Sequence, residues 1–96
     1  MLDQDNTNHM LKIIESFVNG NEERKQFLSN FNAEYRNRIS KMRLEDPIFA
    51  NAMFHYVVVT GINASSHLSD GAFKALISKR YKDLLAARSY GEYKLT

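Results

Sequence analysis

The stretch Asp46-Pro47-Ile48-Phe49-Ala50-Asn51-Ala52-Met53-Phe54-His55-Tyr56-Val57-Val58-Val59-Thr60-Gly61-Ile62 decides how the chain folds. Asp46 before Pro47 is a helix start. The carboxylate can cap free backbone N–H groups, and proline suits a first helical position that needs no N–H donor. The residues that follow are apolar on nearly every side. Val57-Val58-Val59-Thr60 is β-branched and favours a strand, which is the competing reading. The length of the run and its start signal select a helix, predicted over Pro47 to about Ala64. Asn51, His55 and Thr60 interrupt the run, and it falls short of the roughly 20 apolar residues that cross a bilayer. No membrane association is expected.

Working outward, punctuation separates three further segments with helical period. Met10, Ile13, Ile14, Phe17 and Val18 predict a first helix over about Asn8 to Val18, stopped by Asn19-Gly20. Asn21 is read as the cap of a second helix with Glu22 and Glu23 in its first turn, where the helix dipole favours them. Phe27, Phe31, Tyr35, Ile39 and Met42, with Leu28 beside them, carry that helix to Arg43 or Leu44. After a loop over Asn63 to Leu68, Ser69 caps a fourth helix with Asp70 behind it. Phe73, Leu76, Ile77, Leu84 and Leu85 form its inner face, Tyr81 flanks it, and it fades after Arg88 or Tyr90. Residues 1–7 and 91–96 read as frayed ends. Four helices on short connections predict one domain, residues 1–96, of the all-α class: an antiparallel four-helix bundle.

Composition narrows the function. The 96 residues are 44% hydrophobic and 25% charged, within the globular range. The chain has no cysteine, so disulfides, thiolate metal sites and cysteine nucleophiles are excluded. The acidic start, Met1-Leu2-Asp3-Gln4-Asp5, lacks the form of a signal peptide, and a bacterial cytoplasmic location is expected. His9, His55 and His67 have no ligand partners at metal-site spacing, and no phosphate loop, nucleophile elbow or dinucleotide fingerprint occurs. No catalytic residue, metal or cofactor is expected, so the chain is read as a binder of another macromolecule and not an enzyme.

Charge gives the first hint of where it binds. A net +2 neither requires nor forbids nucleic acid. Basic residues gather late in helix two (Arg36, Arg38, Lys41, Arg43) and in helix four (Lys79, Arg80, Lys82, Arg88), as helix dipoles alone would arrange. In an up-down-up-down bundle these two helices run the same way. Glu22, Glu23 and Asp70 then share one pole and the basic ends share the other. A third helix apolar nearly all round cannot turn Phe49, Phe54, Tyr56 and Val58 all inward, so these four are read as a homodimer or partner surface.

Phe17-Val18-Asn19-Gly20, the spaced Phe27 and Phe31, the aromatic third helix, and Leu68-Ser69-Asp70 leading into Phe73, Leu76, Ile77 and Leu84 form a pattern from about Met10 to Leu85. It resembles the colicin D immunity protein family and the related immunity proteins of contact-dependent growth inhibition. The resemblance implies a helical bundle that binds and neutralises a cognate toxin, often a tRNA-cleaving nuclease, without activity of its own. Such proteins set acidic side chains against a basic nuclease, and Glu15, Glu22, Glu23 and Asp70 are the residues expected to do so here. Two alternatives stand beside it. One is a small DNA-binding regulator, for which helix two with Asn32, Arg36 and Arg43 is the only candidate, although nucleic acid is the less expected partner. The other is a helical adaptor whose partner covers the third helix.

Overall fold

A computed structural model of the chain describes residues 4–90, with side chains as far as Ala86. Four helical rods follow one another: α1 (Asp5–Val18), α2 (Arg24–Glu45), α3 (Pro47–Met53) running directly into a π-wound segment (Phe54–Ile62), and α4 (Asp70–Tyr90). No strand occurs among the described residues. The predicted frayed ends at 1–3 and 91–96 lie outside the described residues.

α1 packs against α2 and α4; α3 packs on α2, and the π segment chiefly on α4. The contacts at each end fix direction. The start of α1 meets the end of α2 through Asn6, Thr7 and Glu45, and the start of α2 meets that of α4 through Arg24 and Asp70. This is the expected antiparallel bundle. Its centre is aromatic: Phe17, Phe27, Phe31 and Phe73 are buried together, with Phe17 stacked on Phe27 at 4.4 Å between ring centres. Met10, Ile14, Met42, Phe49, Met53, Val57, Ile77 and Leu84 are fully buried around it.

The local signals act as read at three of the breaks. Gly20 takes the left-handed conformation (φ 87°), and its N–H donates to Phe17 O while that of Asn21 donates to Ser16 O. This Schellman closure satisfies the last carbonyls of α1. Asp46 is extended and its Oδ1 accepts from Phe49 N at 3.0 Å, with Pro47 at the first position of α3. Ser69 Oγ accepts from Ala72 N at the start of α4.

Three readings need correction. Asn21 does not cap α2, because its backbone is committed to closing α1. Glu23 caps instead, and its own N–H donates to the Gln26 side chain in a reciprocal box. Residues 5–7 are not frayed. Thr7 is 1% exposed, and its N–H and hydroxyl both donate to Glu45 Oε1, at 2.9 and 2.7 Å. Asn6 N and Nδ2 donate to Glu45 Oε2, so the last side chain of α2 caps the open N-terminus of α1.

The third correction concerns the second half of the third helix, which is not α-wound. Asn63 N donates to Val58 O, five residues back, at 2.8 Å. The β-branched run from Val57 to Thr60 crowds an ordinary helical turn. The Thr60 hydroxyl also competes for helix acceptors, donating to His55 O at 2.8 Å and Tyr56 O at 3.2 Å. Wider winding accommodates both. Gly61 allows α4 to approach closely: a Cβ there would lie 3.1 Å from Ile77 Cδ1 and 3.2 Å from Tyr56 O.

Burial raises the Glu45 carboxyl, but the donors from Asn6 and Thr7 outweigh it and lower the carboxyl from 4.5 to about 2. A depressed carboxyl contributes stability that is whole above pH 4.5 and lost as pH falls through about 2. Glu45→Gln should cost about 2 kcal/mol near pH 7, the scale of a charged hydrogen bond. It should also flatten the acid loss of stability over that window. Urea unfolding at stepped pH measures both; parallel curves for the two proteins would contradict the cap.

Candidate partner-binding site

The pole where α1 ends and α2 and α4 begin holds an open depression of ≈ 640 Å³. Phe17 and Leu28 supply apolar lining, and Glu22, Glu23, Arg24, Lys25, Asp70, Gly71 and Lys74 surround them. Several of these charges have a local reason to be there. Glu23 and Asp70 stand at helix N-termini, which favour carboxylates, and the ammonium of Lys74 lies close to Gly20 at the C-terminus of α1, which favours cations.

Arg24 organises the pole. One guanidinium nitrogen (Nη1) donates to Leu68 O at 2.6 Å and to Asp70 Oδ1 at 3.2 Å, while Nη2 donates to Ser65 O at 3.0 Å. Its central carbon lies 4.3 Å from the Phe73 ring centre, a cation–π contact. The planar fork therefore satisfies two carbonyls of the 63–69 connection and shields the aromatic core at once.

Glu22, Glu23 and Asp70 are thus brought around one depression, as the bundle topology anticipated. Three cations, Arg24, Lys25 and Lys74, share it with them, so the pole is mixed in charge and not an acidic patch. Asp70 is engaged by Arg24 although its side chain is 86% exposed. Glu22 makes no hydrogen bond or ion pair among the described residues. Glu15 is absent from the lining. Its carboxylate faces Tyr81 on α4, where burial, the Glu15 charge and a hydrogen bond to it together raise the phenol.

The expected partner surface on the third helix is also redistributed. Phe49 is fully buried and must be removed from it, because it falls on the same inward face as Ala50, Met53 and Val57. Phe54 stays 39% exposed, with Tyr56 and Val58 half-buried. Leu44, Ile48 and Val59 are exposed apolar residues that the sequence reading did not include.

A second polar cluster lies along the α1–α2 seam. His9 Nε2 is 2.8 Å from Glu34 Oε1, which also meets Arg38 Nη2 at 3.5 Å, and Arg38 Nη1 donates to Asn6 Oδ1. The partners lie 25 and 32 residues apart, so only folding joins them. It contains no nucleophile and reads as a seam between helices. Among the described residues no group of three or more His, Asp or Glu side chains could hold a metal ion. No described helix is long and apolar enough to cross a membrane. No family model, curated protein or solved structure matches the chain.

Two substitutions test this geometry. Arg24→Met should cost about 2 kcal/mol by leaving the Leu68 carbonyl unpaired and the Ser65 carbonyl with Leu68 N alone, and Arg24→Lys should restore only part of it. Urea unfolding gives the loss, and faster amide exchange over residues 65–70 should accompany it. The Tyr35 hydroxyl is buried without a partner, and burial raises it while the Arg43 charge opposes. Tyr35→Phe should therefore leave stability unchanged or raise it by up to about 1 kcal/mol. A loss above about 1 kcal/mol in the same assay would contradict that placement.

Proposed function

We propose that this chain is a binding protein that neutralises a bacterial toxin domain by covering it, in the manner of the immunity proteins its sequence resembles. The observation that carries the reading is the depression at the α1–α2–α4 pole. Its apolar lining of Phe17 and Leu28 can receive a partner side chain, and Glu22 stands beside it with no intramolecular obligation. The Arg24 clamp holds both helix starts in place, so little ordering entropy is lost on association. The mixed rim suits a partner with interleaved charges better than a uniformly basic one, and such complementarity acts mainly on association rate and specificity. Binding beside a toxin's active site fits this surface as well as plugging it.

A second reading, a homodimer or adaptor whose partner covers the third helix, is favoured by one observation. No charged side chain occurs from Pro47 through Ser69, and Ile48, Phe54 and Val59 are exposed there with Leu44 nearby. Light scattering of the isolated protein separates the two. A monomer mass up to about 100 µM removes the dimer.

The toxin reading is tested with the C-terminal domain of a toxin encoded by the neighbouring gene. Calorimetry should show a tight complex, and Glu22→Lys with Leu28→Ser should weaken it by about tenfold or more, about 1.4 kcal/mol. Unchanged affinity, or a neighbouring locus with no toxin gene, would contradict the proposal.

A further inference from the structure

α2 is the longest described helix, 22 residues or about 33 Å. Its two carboxylates, Glu34 and Glu45, both face α1, the first bound to His9 and Arg38 and the second to Asn6 and Thr7. The exposed side of the helix therefore carries no acid. It presents Lys25, Arg36, Lys41 and Arg43, interleaved with the amides of Asn32 and Asn37, all exposed. None of the four cations forms an ion pair among the described residues. α4 differs, because Lys79 and Arg80 both meet Asp83 there.

Spacing turns this list into a line. At 100° per residue, Lys25, Asn32, Arg36 and Arg43 fall within about 40° of one another, along about 27 Å of helix. Glu22 and Glu23 flank only the Lys25 end, leaving Arg36 and Arg43 together at the other. We propose that this outward face of α2 binds duplex DNA through its phosphates. Three unpaired cations in a row, Lys25, Arg36 and Arg43, match a partner carrying a charge about every 1.7 Å of its axis, while Lys41 stands about 160° round the helix from them. Exposed amides add donors for phosphate and sugar oxygens, and a single helix fits the major groove. An acidic protein surface would satisfy the cations but would have less use for the amides. Lys25 borders the depression as well, but Arg36 and Arg43 lie about two and four turns from Leu28, so variants there test this binding separately from the toxin reading.

The test uses the full chain and a fluorescein-labelled duplex of about 20 base pairs of arbitrary sequence, read by anisotropy from about 50 to about 200 mM KCl. Three phosphate contacts predict a log–log salt slope of about −2.7, hence an affinity loss of about 40-fold across that range. Arg36→Gln with Arg43→Gln should weaken binding by about tenfold or more at the lower salt and reduce the slope by about 2. Lys79→Gln with Lys82→Gln should stay within about twofold of the parent. If the double α2 variant unfolds, as circular dichroism would reveal, the single variants replace it, each reducing the slope by about 1. No binding at about 50 mM salt, a parent slope shallower than about −1, or parent-like binding by folded α2 variants would overturn the proposal. So would tighter binding to a single strand of the same length.

Discussion

The guanidinium of Arg24 is the interaction on which the rest of the α1–α2–α4 pole depends. The connection from the π segment to α4 turns back without glycine or proline, leaving the Ser65 and Leu68 carbonyls directed at α2. Ser65 is fully buried and its carbonyl also accepts from Leu68 N, so it is the Leu68 carbonyl that takes its donor from Arg24. A rigid fork reaches both while its face rests on Phe73. An ammonium, a single point of charge, could not bridge them while covering the ring. Arg24 is also the first residue of α2. The same contact therefore locks the starts of two helices side by side and sets the depression between them.

The opposite pole uses the same device with the sign reversed. There the last residue of α2, Glu45, receives the free N–H groups at the start of α1. α2 thus ends in two charged side chains, each completing the backbone of a neighbouring element. Between them the stacked and tilted Phe17, Phe27 and Phe73 rings fill the space where α1, α2 and α4 meet. These requirements leave the outward side of α2 free of structural duty, which is why its surface cations are unpaired.

Much of the fold was legible because its signals are local. Asn19-Gly20, Asp46-Pro47 and Ser69 each act on backbone groups within a few residues, and the helical stripes hold at near neighbours. The gathering of Glu22, Glu23 and Asp70 at one pole followed from topology alone. What could not be read depends on distant partners or on competition. Arg24 and Glu45 carry no local signal of their roles, because their acceptors and donors lie about forty residues away in sequence. Asn21 lost its capping role to the closure of the preceding helix. Phe49 lies on the inward face with Ala50, Met53 and Val57 and Ile48 on the outward one, and the wider winding after Met53 bears only on the residues beyond it, where Phe54 and Val59 are exposed. Glu15 lies outside the depression, its carboxylate beside Tyr81 on α4.

The functional reading follows from what the surface offers a partner: a braced depression at one pole and an acid-free helix face leading away from it. The most direct test is an amide NMR titration of the labelled chain with the toxin domain proposed as its partner. Shifts should concentrate in Glu22–Leu28 and Asp70–Lys74, with the α3 amides little moved. Perturbations confined to α3 and the π segment, or no perturbation at any ratio, would contradict a recognition surface built around Arg24.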